Sequence, residues 1–323
     1  EEMAAIAEDP RLGQRVPASP GQFGLWLIDR IVRERALYNV HFSVRMTGPL
    51  VPSLLRRSID ALVARHEPLR TTFHEVDGDF FVRFAPPGEV DLPLVDLREV
   101  DPSARKERLS RLSAEHSVTP FDLGRGPLLR MTLVALKDDE HVLLLTQHHA
   151  ITDGGSFEVL VRDLFAHYRA LRDGSSPGLP ELPFSYSQHV AWQLSSPRVE
   201  HTARHLSWWA NHLAGLPAMD LPFRHSAASP THAGDTVHFR LSPALGSALE
   251  AMATRHGSTL FRLLLSVWVT LLHRYTGQTD FPVGTVTAMR RSAELRTLLG
   301  YFANTLLLRC KPHASSTFLE LLG

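Results

Sequence analysis

The sequence is poor in the features that mark several broad classes of protein. It has one cysteine, Cys310, in 323 residues, which excludes an internal disulfide framework and fits a reducing cytoplasm. Its 34 basic and 34 acidic residues cancel, so the charge predicts no nucleic-acid or anionic-membrane partner. No apolar run approaches the roughly 20 residues of a membrane span, and there is no signal peptide. These absences predict a soluble cytoplasmic protein.

A compact group of polar residues follows an apolar run near the middle of the chain: HHAITDG at residues 148–154. Residues 142–146 before it have the composition of a short buried strand, and residues 156–171 after it carry apolar side chains at helical spacing. Two imidazoles, a carboxylate and the N–H groups of a helix start therefore meet at one predicted strand-to-helix junction. We expect the chemistry of the protein at this junction.

The two histidines are predicted to have different tasks, because successive strand residues point to opposite faces. His149, taken as the last residue of the strand, is the catalytic candidate, and His148 supports the site from a packed layer. His149 could accept a proton from an attacking amine or hydroxyl, or hold a developing cation, and the sequence leaves both roles open. A metal ion would need both rings to converge with Asp153, which adjacent strand positions resist, so no metal site is predicted.

The acidic residue and the glycines complete the candidate site. Asp153 is expected to support the turn through a salt bridge, since a buried carboxylate needs a cationic or donor partner. Gly154 and Gly155 would allow positive φ and close approach of a substrate. Their N–H groups lie at a helix start, where an oxyanion could be stabilised, so Gly154 is a second catalytic candidate. Taken singly, each residue is more often structural; the ordered set favours a function.

Hydrophobic spacing elsewhere predicts an α+β fold with no regular βαβ repeat. Helices are predicted at 53–65, 203–214 and 259–275, and strands at 69–76, 80–84, 128–136, 141–146, 236–241, 283–287 and 305–308. The run GSSPGLP at 174–180 is the strongest linker signal and predicts a boundary between two lobes. We therefore expect a lead-in or linker at 1–15, an N-terminal lobe at 16–180 and a C-terminal lobe at 181–323.

Three ordered motifs give the chain a specific resemblance. Residues 148–154 fit the HHxxxDG motif of the condensation-domain superfamily, the peptide-bond-forming domains of nonribosomal peptide synthetases. RHEPLRTTF at 65–73 resembles the family's RHExLRTxF motif, and GYFANT at 300–305 resembles its GxFxNT segment. Motifs in this order over nearly the whole chain identify it as similar to that family.

Two further segments resemble family motifs with departures. SPGQFGLW at 19–26 is similar to SxxQxRLW, with Gly24 where a basic residue is usual. YSQHVAW at 186–192 is similar to YxDFAxW, with Gln188 for the acid and His189 for the aromatic residue. Two residues flanking the central motif also depart from the usual Met and Trp: Gln147 and Gly155. These departures concern the subtype more than the superfamily.

The resemblance implies a fold and a set of site residues. Such domains have two lobes, each similar to chloramphenicol acetyltransferase, in a V-shaped pseudo-dimer with a tunnel between them. The second lobe is expected to be incomplete here, because the family's later motifs are absent. By analogy, Arg70 would pair with Asp153 and support the turn, while Gly155 and Asn304 would line the tunnel.

The resemblance also implies partners and a reaction. Donor and acceptor peptidyl carrier proteins would each insert a 4'-phosphopantetheine arm, beside an adjacent adenylation domain, and the chain itself would bind no cofactor. The acceptor amine would attack the donor thioester and form an amide. No GxSxG or cysteine site is evident, which favours direct transfer without an acyl-enzyme. The alternatives are a related acyltransferase that forms esters, an epimerization domain, and a non-catalytic recruitment domain.

Overall fold

The structure is a computed structural model that describes residues 15–32, 35–222, 236–313 and 315–323. The lead-in predicted at residues 1–15 lies, apart from its last residue, outside the described residues. Contacts divide the chain into two compact units. The first comprises Glu1–His201 and Ala288–Asn304, and the second comprises Thr202–Thr287 and Thr305–Gly323.

The first unit contains the elements that surround the HHAITDG turn. Its described helices are α1 (Pro20–Ile31), α2 (Pro52–Arg65), α3 (Pro102–Val118), α4 (Gly154–Asp173) and α5 (Tyr186–Gln193). Its described strands are β1 (Val16–Pro17), β2 (Asn39–Thr47), β3 (Thr71–Val76), β4 (Asp79–Phe84), β5 (Leu94–Asp96), β6 (Leu129–Lys137) and β7 (Glu140–His148). Three 3-10 turns occur at Glu67–Arg70, His149–Ile151 and Leu295–Thr297.

The second unit is built around a pair of strands. It contains α7 (Pro243–Arg255), α8 (Leu260–Thr276), β8 (Phe281–Thr287), α9 (Phe318–Leu322) and nearly all of β9 (Asn304–Cys310). Strand β8 pairs with β9. Helix α6 (Ser196–His212) begins in the first unit and continues into the second.

The main sheet has the strand order β2-β7-β6-β5, with β7 central and antiparallel to both of its neighbours. Strands β6 and β7 are buried on both faces, which explains their nearly continuous apolar sequences. One face, with Met131 and Leu145, belongs to the core cluster that contains Ile59 of α2. The other face packs under α3 through Leu144 and Leu112. The HHAITDG turn therefore begins at the end of a rigid, central strand.

Most predicted elements are present, and the α+β class is confirmed. The predicted hairpin is the antiparallel pair β3–β4, which turns at Asp77 and Gly78, both at positive φ. The strand predicted at 236–241 is wrong, because these residues form no regular element and Val237 and Phe239 are exposed. The lobe boundary predicted near residue 180 lies about 20 residues before the division by contacts. Residues 186–190 pack with residues 295–302 in the first unit.

Within the described part of the chain, no helix is both long enough and apolar enough to cross a bilayer.

Candidate active site

The HHAITDG turn connects the central strand β7 to the N-terminus of α4. His148 is the last residue of β7, and His149 opens the 3-10 turn, so the prediction that His149 ends the strand is wrong by one residue. The reason is local: the Ala150 N–H bonds to Nδ1 of His148 at 3.2 Å, and the Thr152 N–H bonds to the His149 carbonyl. These bonds bend the chain, so β7 ends at His148 and His149 is not part of the strand.

The hydrogen bonds of His149 fix its tautomer. Its backbone N–H donates to the Tyr38 carbonyl beside β2 at 2.8 Å, and its Nδ1 lies 2.7 Å from the Thr152 carbonyl. Since a carbonyl oxygen only accepts hydrogen bonds, the neutral ring carries its proton on Nδ1 and a lone pair on Nε2. The half-buried imidazole can therefore accept a proton or a hydrogen bond through Nε2.

His148 has a different environment. It is buried, and its Nδ1 accepts the Ala150 N–H, so its proton is on Nε2, which has no partner among the described residues. Burial, with the nearby His149, lowers the pKa of His148 to about 4. His148 is therefore neutral at cellular pH and supports the turn.

Asp153 is the N-cap of α4 and is only 3% exposed. Its Oδ1 accepts from the Ser156 N–H and from Nη2 of Arg290, both at 2.8 Å. Its Oδ2 accepts from the Phe302 N–H at 3.0 Å. The carboxylate is fully paired, as a buried charge must be, and it joins the turn to the segment that precedes β9.

The cation beside Asp153 is Arg290, and the pairing predicted with Arg70 is wrong. Arg70 ends the 3-10 turn before β3, and its Nη1 donates to the Ala85 carbonyl at 2.9 Å, just beyond β4. Its guanidinium is thus held beside the β3–β4 hairpin. Sequence reasoning missed Arg290 because the pair spans 137 positions; the only local signal is an arginine pair at 290–291 before the GYFANT segment.

Arg290 holds several groups together. Its Nη1 donates to the carbonyls of Leu295 and Leu298, both at 2.6 Å, and its guanidinium lies 4.1 Å from the centre of the Phe302 ring. The side chain is only 5% exposed. Arg290 therefore fixes the segment 290–302 against the N-terminus of α4.

The two glycines after Asp153 differ in their surroundings, and neither has positive φ. A Cβ at Gly155 would lie 2.8 Å from Nε of Arg290, so this residue is glycine to admit the arginine stem. A Cβ at Gly154 would meet no atom within 4 Å. Both N–H groups lie in the first helical turn, where they have no intrahelical acceptor and can donate to an oxyanion.

The GYFANT segment contributes one residue that the sequence did not single out. The Tyr301 ring contacts His149 edge-on, with centroids 5.2 Å apart and planes at 85°. Asn304, predicted to line the substrate tunnel, lies exposed at the start of β9, and no described contact joins it to His149. Its tunnel role stays a prediction, as does that of Gly155.

The segment at 19–26 supports the turn from α1. Ser19 caps α1 in a reciprocal pair with Gln22, and Nε2 of Gln22 donates to the Ala150 carbonyl at 3.1 Å. Tyr186, which opens α5, donates its hydroxyl to the Tyr301 carbonyl at 2.7 Å. The bond from Gln22 gives the segment at 19–26 a structural task beside the candidate catalytic residue, and Tyr186 holds the GYFANT segment.

The RHEPLRTTF segment ties α2 to α4 and α5. Nε2 of His66 lies 2.9 Å from the buried carboxylate of Asp163 on α4. Oε2 of Glu67 accepts from the Ser187 hydroxyl on α5 at 2.9 Å. The departure at Gln188 is structurally mild, because its side chain completes the capping box of α5.

Other reactive groups are not gathered at the turn. Among the described residues, no group of three or more His, Cys, Asp or Glu is placed to hold a metal ion. Cys310 lies in the second unit, where burial raises the pKa of its thiol and disfavours the nucleophilic thiolate.

Comparison with known sequences gives one consistent match. A family model described as a condensation domain matches residues 13–323. The chain is 38% identical over 312 residues to a linear gramicidin synthase polypeptide of Brevibacillus parabrevis, an alignment that covers 96% of this chain and 4% of that protein. It is 38% identical over 328 residues to phosphinothricin tripeptide synthetase PhsC of Streptomyces viridochromogenes, covering 99% of this chain and 30% of that protein. The chain thus spans less than a third of either relative.

Solved structures share the fold. The X-domain from teicoplanin biosynthesis superposes with a TM-score of 0.82 at 29% identity, covering 95% of this chain and 68% of that one. The first condensation domain of the CDA synthetase superposes with a TM-score of 0.81 at 24% identity, covering 95% and 72%. The resemblance expected from the motifs is confirmed.

Proposed function

Because this chain belongs to the condensation-domain family of nonribosomal peptide synthetases, we propose that it forms an amide bond between two carrier-bound thioesters. The donor is an acyl or peptidyl thioester and the acceptor an aminoacyl thioester. The observation that carries the proposal is the 2.7 Å bond from Nδ1 of His149 to the Thr152 carbonyl, because it leaves Nε2 as a free acceptor.

The proposed step is a direct transfer. The acceptor amine attacks the donor carbonyl carbon, the new C–N bond forms, and the C–S bond to the donor arm breaks. Nε2 of His149 accepts a hydrogen bond or the proton from the amine, and that proton leaves with the donor sulfur as a thiol. The N–H groups of Gly154 and Gly155 are the donors available to the carbonyl oxygen as it becomes negative.

The rate gain is divided between alignment and acid–base chemistry. A thioester is already activated, so holding the two reactants together supplies up to roughly 7–11 kcal/mol. Help from the His149 imidazole adds about 10²–10⁴-fold. The paired Asp153–Arg290 contact serves this purpose indirectly, by fixing the turn.

The proposed partners follow from the reaction. Two peptidyl carrier proteins present the donor and the acceptor on 4'-phosphopantetheine arms, and an adenylation domain loads an amino acid. We propose that the protein works in the cytoplasm. Two similar proteins are a gramicidin synthase and a tripeptide synthetase, which supports a peptide as the product of this chain's reaction.

A recruitment role is the second candidate. One similar solved structure is a complex of the X-domain and OxyB from teicoplanin biosynthesis, with a TM-score of 0.81 at 30% identity. In a recruitment role, this chain would bind a partner protein without transferring an acyl group. The bond from Nδ1 of His149 to the Thr152 carbonyl leaves Nε2 as an acceptor, which favours catalysis over this alternative.

The test reconstitutes the transfer with the full-length polypeptide. A donor carrier protein holds an acyl or peptidyl thioester, an acceptor carrier protein holds an aminoacyl thioester, and intact-protein mass spectrometry follows both arms. We expect the donor group to appear on the acceptor arm as an amide. His149→Gln should abolish most of the transfer, whereas His313→Gln, at an exposed histidine, should not.

Each alternative has its own outcome when chiral analysis of the released donor residue and a binding measurement on the partner proteins accompany this assay. Transfer to a hydroxyl acceptor but never to an amine would indicate an ester-forming enzyme. Unchanged mass with inverted configuration of the donor residue would indicate an epimerization domain. Binding of partner proteins without transfer from any loaded pair would support recruitment and overturn the proposal.

A further inference from the structure

We propose that Tyr301 is a positioning residue that holds the His149 imidazole in its working orientation, and that position 21 is glycine so that Tyr301 can do so. This inference rests on the proposed function. It concerns the first of the two variable positions of the GxFxNT segment, and the described contacts that carry it all lie in the first unit.

The backbone around Tyr301 is fixed on both sides. The Gly300 N–H donates to the Ser156 hydroxyl at 3.0 Å, and the Phe302 N–H donates to Asp153 at 3.0 Å. The Tyr301 carbonyl accepts from the Tyr186 hydroxyl at 2.7 Å. The first two bonds join the segment to the N-terminus of α4, which follows His149, and the third joins it to α5. The Tyr301 side chain is therefore presented to the imidazole from a rigid support.

The half-buried ring of Tyr301 contacts both the His149 imidazole and position 21 of α1. It meets His149 edge-on, in the geometry that aromatic pairs favour. It also occupies the space of a side chain at position 21, because a Cβ there would lie 2.5 Å from Cε1 of Tyr301. Glycine inside a helix costs helix stability relative to alanine, and the Tyr301 ring supplies the reason for it here.

Two contacts then restrain the His149 ring. The bond from Nδ1 to the Thr152 carbonyl sets the tautomer, and the Tyr301 ring limits rotation about the Cβ–Cγ bond. Without the tyrosine, the imidazole can rotate away from the Thr152 carbonyl, and Nε2 no longer points in one direction.

Helix α1 offers a matched pair of substitutions. Gly21→Ala should displace the Tyr301 ring from its present contact with His149, whereas Gly24→Ala, on the same helix, places its Cβ where no atom lies within 4 Å. Both changes exchange glycine for alanine in the first half of α1, and only Gly21→Ala meets Tyr301, so a difference between them in the state of His149 reports the contact with Tyr301.

The first measurement needs no substrate. In protein labelled with ¹⁵N-histidine, with His149 assigned by comparison with His149→Gln, we expect the wild type and Gly24→Ala to show the Nδ1-protonated tautomer. Tyr301→Ala and Gly21→Ala should shift the two nitrogen signals towards each other, as the ring exchanges between orientations. Tyr301→Phe should restore the wild-type signature. Wild-type signals in Tyr301→Ala would overturn the proposal.

The second measurement is the condensation rate in the full-length polypeptide. We expect Tyr301→Ala and Gly21→Ala to lower kcat about 10- to 100-fold, as displaced catalytic groups do, with KM for both carriers nearly unchanged. The double variant should be no worse than Tyr301→Ala, because the ring that Gly21→Ala displaces is already absent. Equal rates for Gly21→Ala and Gly24→Ala would contradict the proposal. If the wild type forms no amide, the proposed function fails, and the nitrogen signals still decide the role of Tyr301.

Discussion

At the scale of single residues, the backbone sets the chemistry of the site. The sequence predicted His149 as the working imidazole because the motif placed it between a strand and a helix. It could not predict the tautomer, since this depends on the Thr152 carbonyl being turned towards Nδ1 by the 3-10 turn. Arg290 escaped prediction for a similar reason: its 5% exposure results from long-range packing that no local pattern carries.

The buried ion pair predicts a large stability difference between two aspartates. Asp153→Asn should lower the free energy of unfolding by about 3–5 kcal/mol, because it leaves the Arg290 charge buried and unpaired. Asp96→Asn breaks an ion pair with Arg98 in which both side chains are 46% exposed, and it should change stability little. Urea unfolding of both variants checks this; equal losses would show that Asp153 does not support the turn.

The neighbouring glycines predict a second matched comparison. Gly155→Ala should cost about 1–3 kcal/mol, because the added methyl group displaces the Arg290 stem. Gly154→Ala meets no atom within 4 Å and should leave the melting temperature nearly unchanged. Calorimetry on the two variants tests the explanation, and a stable Gly155→Ala would remove the packing reason for that glycine.

At the scale of elements, apolar spacing predicted the helices and strands that the local sequence is enough to specify. Helix α2, the β3–β4 hairpin and the β6–β7 pair lie within a few residues of their expected bounds. The alternating sequence at 236–241 predicted a strand that is absent, because alternation alone supplies no partner for the backbone. Sequence motifs predicted which segments matter, but the contacts that join them, such as Gln22 with Ala150, required the fold.

The cap of α1 gives a prediction for one element. Ser19→Ala should cost about 1 kcal/mol, because the Gln22 N–H loses its acceptor, and it should loosen α1 beside the HHAITDG turn. Ser242→Ala removes the corresponding cap of α7 in the second unit. Amide hydrogen exchange should show faster exchange in α1 for the first variant and in α7 for the second. Unchanged exchange in α1 would contradict a stabilising cap at Ser19.

At the scale of the whole molecule, buried histidines predict how stability depends on pH. Burial lowers the pKa of both His148 and His116 to about 4, with smaller effects of His149 on the former and of Arg130 and His41 on the latter. The unfolded chain therefore binds protons at these sites below about pH 6.5, whereas the folded chain binds them only near pH 4. Stability should fall as the pH falls from about 6.5 to about 4.

Urea unfolding at intervals across this range measures the slope. His116→Gln keeps a group that can hydrogen-bond to Thr132 but cannot titrate, and it should flatten the slope. An unchanged slope in that variant, or stability that rises on acidification through this window, would contradict the claim that these rings are buried in their neutral form.

The family is established by matches along nearly the whole chain, and the central claim concerns what its turn does. The claim is that the His149 imidazole, held by Thr152 and aimed through Nε2, takes part in acyl transfer. The most direct test is the single-turnover rate of amide formation on loaded carrier proteins, with the wild type and His149→Gln compared at matched folded fractions. We predict a loss of about 10²–10⁴-fold in the variant. A variant that transfers within about threefold of the wild-type rate, far short of that range, would contradict the account.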